Sequence, residues 1–243
     1  MIKIFANQPF SPKSHFTKFS QIFVIFIFCG KLKFDYAHNS NHKGKKGIDF
    51  IVTGNIDRYS VELGNVRYMK EKYKMPKLID NPEIITRGRW KLYNSKKIVI
   101  GGMTKVLEAA FDNKGVAVGV GVYCLTDFKL EPYFILGIIN SKFATYYFRK
   151  QFEAKHLAGN YLAINVSQLE RIPFPNNPNK KAHDEIVKLV EQILHYNKEL
   201  QTVKLPEHKA MLASRISYCE DKIDAIVYGL YGLSEEEIGV VEG

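Results

Sequence analysis

The sequence predicts a mixed α/β fold of the α+β type, followed by a C-terminal antiparallel helical hairpin. Three observations carry that expectation. Runs rich in β-branched and aromatic residues, punctuated by glycine, proline and asparagine, fill the stretch from Ile48 to Tyr123. Leu136, Ile139, Phe143 and Tyr146 then recur at helical spacing behind Pro132, a residue suited to a first helical turn. Beyond Asn179, apolar positions step by three and four along two stripes with Pro206 between them. The expected divisions are an N-terminal segment and basic linker over 1–47, a globular unit over 48–178, and the helical hairpin over 179–243.

Ile22–Cys29 (IFVIFIFC) is an apolar run of eight residues. A bilayer crossing needs about 20. The run sits late for a signal peptide and lacks a small-x-small cleavage site, so a buried strand is the better reading and no membrane attachment is expected. That this segment is the remainder of an interrupted longer gene stays open. His38–Gly47 is polar, basic and glycine-containing, a loop by composition. His38 and His42 lie four apart, but their Asn, Ser and Gly neighbours argue against the helix that would aim both at a metal, and no metal site is expected.

Strands are expected at Ile48–Val52, Ser60–Tyr68, Lys96–Ile100, Lys105–Phe111 and Val116–Tyr123, the last two joined by the turn Asp112-Asn113-Lys114-Gly115. Pro76 and Pro82 make Lys74–Lys91 a loop-rich connection. One helix should run from Pro132 to about Phe152. A basic Gly-Asn turn, Lys155–Tyr161, follows, then a short strand. Ser167 and Glu170 have capping-box spacing, and Pro173 and Pro175 end the unit. In the hairpin, Ile186, Val190, Ile193, Asn197 and Leu200 face Leu212, Ile216, Cys219, Ile223, Ile226 and Leu230. Gly229 and Gly232 mark a frayed end or a C-cap.

Charge divides the 243-residue chain unevenly. Its formal net charge is +10. Residues 1–180 hold 28 Lys and Arg against 13 Asp and Glu, whereas residues 181–243 hold 7 against 12. A basic body with an acidic helical tail suits a polyanion-binding unit that also contacts protein. Cys29, Cys124 and Cys219 are far apart and form no CxxC pair, which points to thiols in a reducing, cytoplasmic setting.

Catalytic patterns are missing. Gly115–Gly121 (GVAVGVG) opens no helix and sits in a strand-like run, so it does not resemble a cofactor cradle. Asp127-Phe128-Lys129 and Glu207-His208-Lys209 are fragments of a nuclease pattern without partners at strand spacing. Binding chemistry is better supplied. Lys43, Lys45, Lys46, Lys70, Lys72, Lys74, Lys77, Arg87, Arg89, Lys91, Lys96 and Lys97 offer phosphate contacts, although any single lysine is more often a solvated charge. Arg58, Arg87 and Arg89 can fork to guanine, Asn55 and Asn160 to adenine, and Tyr59 and Tyr161 can stack. Asn160 equally suits capping its own turn.

ILGIINSKFATYYF (Ile135–Phe148) and HLAGNYLAINVSQLERIPFP (His156–Pro175) resemble the TaqI-like C-terminal specificity domain, the target-recognition module of adenine-N6 DNA methyltransferases in type IIG and related restriction–modification systems. Thr53–Tyr59 and Lys96–Val118 resemble its earlier strands, and Asp224–Glu242 its helical tail. The resemblance implies a sequence-specific clamp on double-stranded DNA, with Arg58, Tyr59, Arg87, Arg89, Lys105, Lys155, Asn160 and Tyr161 as the expected contact set. It implies a methyltransferase domain or subunit as partner, and the heptad seam and acidic surface of the hairpin make the C-terminal helices the expected contact. The Asn/Asp-Pro-Pro-aromatic motif and the donor-binding glycine turn of such enzymes do not occur here. S-adenosylmethionine is therefore expected only on a catalytic part carried elsewhere, and no catalytic residue is assigned in this chain. The alternatives are that the chain is itself an active adenine methyltransferase or restriction enzyme, or a non-catalytic remnant of one.

Overall fold

The computed structural model describes residues 16–18, 24–27, 47–83, 85–152, 161–175 and 177–243. In chain order, β1 (Phe16–Lys18), β2 (Val24–Ile27) and β3 (Gly47–Ile51) precede β4 (Ile56–Asp57), β5 (Ser60–Val61), β6 (Val66–Tyr68), β7 (Glu71–Tyr73) and β8 (Lys77–Ile79). Helix α1 (Arg87–Asn94) leads into β9 (Lys97–Gly101), β10 (Met103–Thr104), β11 (Ala109–Asp112), β12 (Val116–Val118) and β13 (Val122–Thr126). Then come α2 (Pro132–Asn140), α3 (Lys142–Gln151), β14 (Leu162–Ala163), α4 (Val166–Leu169) and β15 (Pro173–Pro175). The chain closes with α5 (Lys180–Leu200), α6 (Pro206–Tyr231) and α7 (Glu235–Glu242). The mixed α/β fold with a C-terminal helical hairpin is the one expected.

The central sheet is antiparallel, in the order β11-β9-β13-β2. The apolar run near the N-terminus supplies β2, its edge strand, in register with Cys124 and Leu125 of β13. Strand β9 is buried along its whole length and parts two cores by the two-residue period of a pleat. Ile98 and Ile100 face one core with Leu125 and Ala109. Val99 faces the other with Cys124 and Ala110. The first core is roofed by α2, α3, α5 and α6. The second is filled by the sheet β12-β3-β8, the hairpin β6–β7 and Tyr93 of α1.

Helix α2 is buried from Phe134 to Asn140, between the central sheet and the helical hairpin. Gly137 makes this possible: a Cβ there would lie 2.6 Å from Ile186 Cγ2 and 3.4 Å from Val190 Cγ2 of α5. In the hairpin, Ile186, Val190 and Ile193 are buried with Leu212, Cys219 and Ile223, as the stripes predict. Beyond Ile223 burial moves to Val227, Tyr228 and Tyr231, leaving Ile226 and Leu230 half-buried, as a 3.6-residue helix drifts off a strict heptad. Residues on both sides of position 179 share this one core.

Other expectations are corrected. The helix predicted to reach Phe152 breaks at Ser141, which ends α2 and caps α3: its hydroxyl donates to Ile138 O at 2.8 Å and accepts from Ala144 N at 3.1 Å. The cap before β15 is Asn165 with Gln168, not Ser167 with Glu170. The predicted strand Ser60–Tyr68 is two strands, and Lys74–Lys91 holds β8 and the start of α1. Gly232 ends α6 with φ 65°, a left-handed cap. No helix among the described residues is long and apolar enough to cross a membrane.

Candidate nucleic-acid interface

Four backbone segments meet at one end of the central sheet. Gly102 N donates to Gly121 O at 2.7 Å, and Ile164 N donates to Gly102 O at 3.0 Å. Thr53 Oγ1 donates to the same Gly121 carbonyl at 2.9 Å. Strand β10 pairs with β14 in the register Met103↔Ala163 and Thr104↔Leu162. Only glycine fits at 102, because a Cβ there would stand 2.4 Å from Gly121 O and 2.9 Å from Tyr123 Cε2. Tyr123 ties the group again, its hydroxyl donating to Ile164 O at 2.6 Å. Burial raises the Tyr123 pKa, so the hydroxyl keeps its proton and stays a donor at neutral pH.

From this lattice project Met103 and Val120, each 56% exposed, with Tyr161 and Lys105. Lys105 Nζ sits 5.9 Å from the centroid of the Tyr161 ring, within reach of a cation–π contact. The Lys105 carbonyl accepts from Arg149 Nη2 at 2.6 Å, which anchors its loop to α3. Cation, aromatic face and apolar side chains thus stand together on ordered backbone. Such a set can meet a phosphate, a sugar or base face, and a thymine methyl at once.

The remaining predicted residues are dispersed. Arg58 pairs with Glu220 of α6 at 3.1 Å, and its second terminal nitrogen lies 3.5 Å from Asn140 O, so it clasps the hairpin to the sheet. Tyr59 is corrected: its ring is 3% exposed inside the first core and has no face to offer a nucleotide. Burial also pushes its pKa upward. Asn55 is spent internally, accepting from Val52 N at 3.1 Å and donating to Gly64 O at 2.9 Å. Lys97 is fully buried, ion-paired to Asp112 and donating to Tyr93 O at 2.6 Å, and so is removed from the phosphate-binding supply. Arg87 is exposed and Arg89 half-buried on the first turn of α1, where Arg87 pairs with Asp80 at 3.2 Å. Lys155 and Asn160 lie outside the described residues, as do His38, His42, Lys43, Lys45 and Lys46. Of the predicted contact set, Lys105 and Tyr161 are the two shown in direct contact. Sequence reasoning missed Met103 and Val120. The signal was the pair Gly101-Gly102 ahead of Met-Thr-Lys, a place where backbones must touch.

Residues within the stretch that carries the resemblance play another part. In Asn140-Ser141-Lys142, the asparagine bonds β11, the serine caps α3, and Lys142 reaches the C-terminal helices. Lys142 N donates to Asp224 Oδ1 at 2.8 Å, and its Nζ lies 2.9 Å from Glu242 and 3.4 Å from Asp221. These residues hold the scaffold and present no reading surface.

Residues 50–174 match the TaqI-like C-terminal specificity domain, which is half of the chain. The chain belongs to that family. This TaqI-like specificity domain also resembles solved structures at low identity. One is the type IIL restriction–modification enzyme MmeI in complex with DNA, with 13% identity, a TM-score of 0.44, and coverage of 79% of this chain and 29% of that one. Another is a type I restriction–modification complex, with 14% identity, a TM-score of 0.46, and coverage of 94% and 48%. A third is the HsdS subunit from Thermoanaerobacter tengcongensis, with 15% identity, a TM-score of 0.43, and coverage of 92% and 46%. The specificity domain spans less than half the length of each of these chains. No curated protein matches it.

Proposed function

We propose that this specificity domain is the DNA target-recognition module of a restriction–modification system. Adenine-N6 methyl transfer, with S-adenosylmethionine as donor, and any strand cleavage would belong to a catalytic domain or subunit. The observation that carries this reading is the Lys105–Tyr161 pair, displayed with Met103 and Val120 on a backbone lattice that Gly102 and Gly121 hold together. A module that positions duplex needs such a prearranged surface and no reacting group of its own. The acidic residues of α6 and α7 suit contact with a catalytic partner and not with DNA.

The test is retention of a mixed-sequence duplex by the purified chain, read by fluorescence anisotropy over a range of salt. Micromolar binding that weakens steeply with salt is expected. Absence of salt-dependent binding would reject the reading. Transfer of labelled methyl groups to DNA by the chain alone would overturn the division of labour in favour of an enzyme.

A further inference from the structure

The hairpin β6–β7 turns its two faces to different tasks. Val66, Tyr68 and Tyr73 point into the second core. On the opposite face Arg67 stands directly across from Lys72 in the strand register. Asn65 N donates to Lys74 O at 2.8 Å, which continues the pairing and puts Lys74 on the same outward face, two residues beyond Lys72. Glu71, the one acid between Val66 and Lys74, pairs with the inward-facing Tyr68 and accepts from the Tyr73 hydroxyl at 2.7 Å. The outer face therefore carries three cations and no carboxylate. Among the described residues, the side chains of Arg67, Lys70, Lys72 and Lys74 have no ion-pair or hydrogen-bond partner, and all four are exposed.

Like charges directly opposite each other weaken a strand pair, so the fold gains nothing from this arrangement. The turn sharpens the point. Met69 and Lys70 both take positive φ, 52° and 72°, a two-residue conformation that favours Asn and Gly. They project an apolar and a cationic side chain from the tip. The hairpin adjoins the Val120 side of the Lys105–Tyr161 cluster. Tyr68, the residue before the turn, packs edge-on to Phe50 at 5.3 Å. Its ring is also a near neighbour of Gly119, 3.4 Å from where a Cβ there would stand, and Val120 follows Gly119.

We propose that Arg67, Lys72 and Lys74, extended by Lys70, form a second binding site on this chain, a clamp for the phosphate backbone of duplex DNA alongside the Lys105–Tyr161 cluster. The clamp rests on the DNA-recognition reading and adds to it. Lys70, Lys72 and Lys74 are point charges without acceptors for base edges, so they grip any sequence; Arg67 alone carries a fork that can also meet guanine, and the main discrimination is left to the neighbouring cluster. A phosphate strand laid over the hairpin would also cancel the Arg67–Lys72 repulsion that the free fold carries.

The full chain, a fluorescent mixed-sequence duplex and a salt titration test it. Replacing Arg67, Lys72 and Lys74 together by Gln should reduce the slope of log affinity against log salt by about 0.9 for each phosphate no longer neutralised, up to about 3 in all. Lys72→Glu should lower duplex affinity at low salt about tenfold or more while the thermal midpoint stays level or rises, because Glu would pair with Arg67. A functional cation and a merely structural one differ in that opposition of signs. Unchanged slope and affinity in the triple variant, with the wild type binding normally, would overturn the clamp and leave DNA recognition standing. Failure of the wild type to bind duplex would remove both. Normal duplex binding by the triple variant, with loss of binding to a polyglutamate probe, would overturn the clamp in favour of an acidic protein surface.

Discussion

Asn140 grips Ala109 with both ends of its amide. Its Nδ2 donates to the Ala109 carbonyl and its Oδ1 accepts from the Ala109 N–H, each at 2.9 Å. One side of β11 pairs with β9, so this side chain stands where a further strand would, closing an edge of the sheet inside the core. Tyr59 N also donates to the Ala109 carbonyl, at 2.8 Å, which leaves the Ala109 N–H dependent on Asn140 alone. Asn140→Ala should therefore destabilise the protein by about 2–4 kcal/mol, the sum of an orphaned buried donor and a small cavity. Urea unfolding measures it, and a loss below about 1 kcal/mol would mean the edge finds another partner.

The approach of α2 to α5 through Gly137 makes a second prediction. Gly137→Ala puts a methyl against Ile186 Cγ2 and should cost about 1–3 kcal/mol by overpacking. Removing that obstacle with Ile186→Ala costs stability by itself. The double variant should nevertheless be less destabilised than the two single losses combined, because each relieves the other. Strict additivity in thermal or urea unfolding would show that the helices yield elsewhere.

Asp224 predicts a pH dependence. It is 3% exposed, and burial raises its pKa to about 6, above the ordinary 3.8. Oδ1 accepts from Lys142 N, while Oδ2 has no hydrogen-bond partner among the described residues and Lys142 Nζ stands 3.8 Å away. Arg58, Asp221, Glu220 and Glu242 surround the pair. A carboxyl with a raised folded-state pKa binds more protons folded than unfolded. Its ionisation therefore removes stability as pH rises from about 4 to just above 6, by at most about 3 kcal/mol. Glu242 opposes this: hydrogen bonds from Tyr228 and Lys142 lower its pKa, so its share of stability fades as pH falls. Comparing wild type with Asp224→Asn isolates the first effect. The variant should lose the decline between pH 4 and 6 that Asp224 causes, and equal slopes would refute it.

The helical hairpin and strand β9 were legible because their signals are local, whereas the single strand expected at Val116–Tyr123 is two, β12 and β13, in different sheets. Ile186, Val190, Leu212 and Ile223 repeat at helical spacing, and Ile98-Val99-Ile100 is an uninterrupted apolar run. The break at Ser141 was not legible, since Phe143 and Tyr146 continue the helical period across it and only the hydroxyl's double bonding marks the corner. The hairpin β6–β7 was hidden for a related reason: Met69-Lys70 lacks the glycine or asparagine that announces its turn. In the binding site the residue types misled. Arg58, Asn55 and Lys97 have suitable binding chemistry, yet Glu220, Gly64 and Asp112 claim them and the first core encloses the Tyr59 ring; no spacing rule reveals the Arg58 partner 162 residues away.

Lys97 illustrates how costly such a claim is to break. Its ammonium lies wholly inside the protein against Asp112 and the carbonyls of Tyr93 and Ser95. Asp112 in turn accepts from the N–H groups of Lys114, Gly115 and Val116, which shapes the turn between β11 and β12. Lys97→Met should lower stability by about 3–5 kcal/mol, because it leaves a buried carboxylate without its cation. Loss of duplex binding in this variant should track loss of folded protein in circular dichroism. Weaker binding by a fully folded population would restore Lys97 as a phosphate contact.

The Lys105–Tyr161 pair separates reading from scaffolding. Both side chains are on the surface, so Tyr161→Ala and Lys105→Gln should change stability by no more than about 0.5 kcal/mol. On duplex DNA, Tyr161→Ala should cost about 1–3 kcal/mol of affinity if the ring stacks on a base or presses a sugar, and Tyr161→Phe should restore most of it. Lys105→Gln should instead act through salt, lowering the slope of log affinity against log salt by about 1. Because the ammonium lies 5.9 Å from the ring centroid, the two losses should not add, and their coupling measures how far the cation steadies the ring. Anisotropy titrations of the four variants, including the double, decide the matter. Unaltered affinity in Tyr161→Ala, with folding intact, would leave the loop cluster a purely structural joint and move the reading surface elsewhere on the domain.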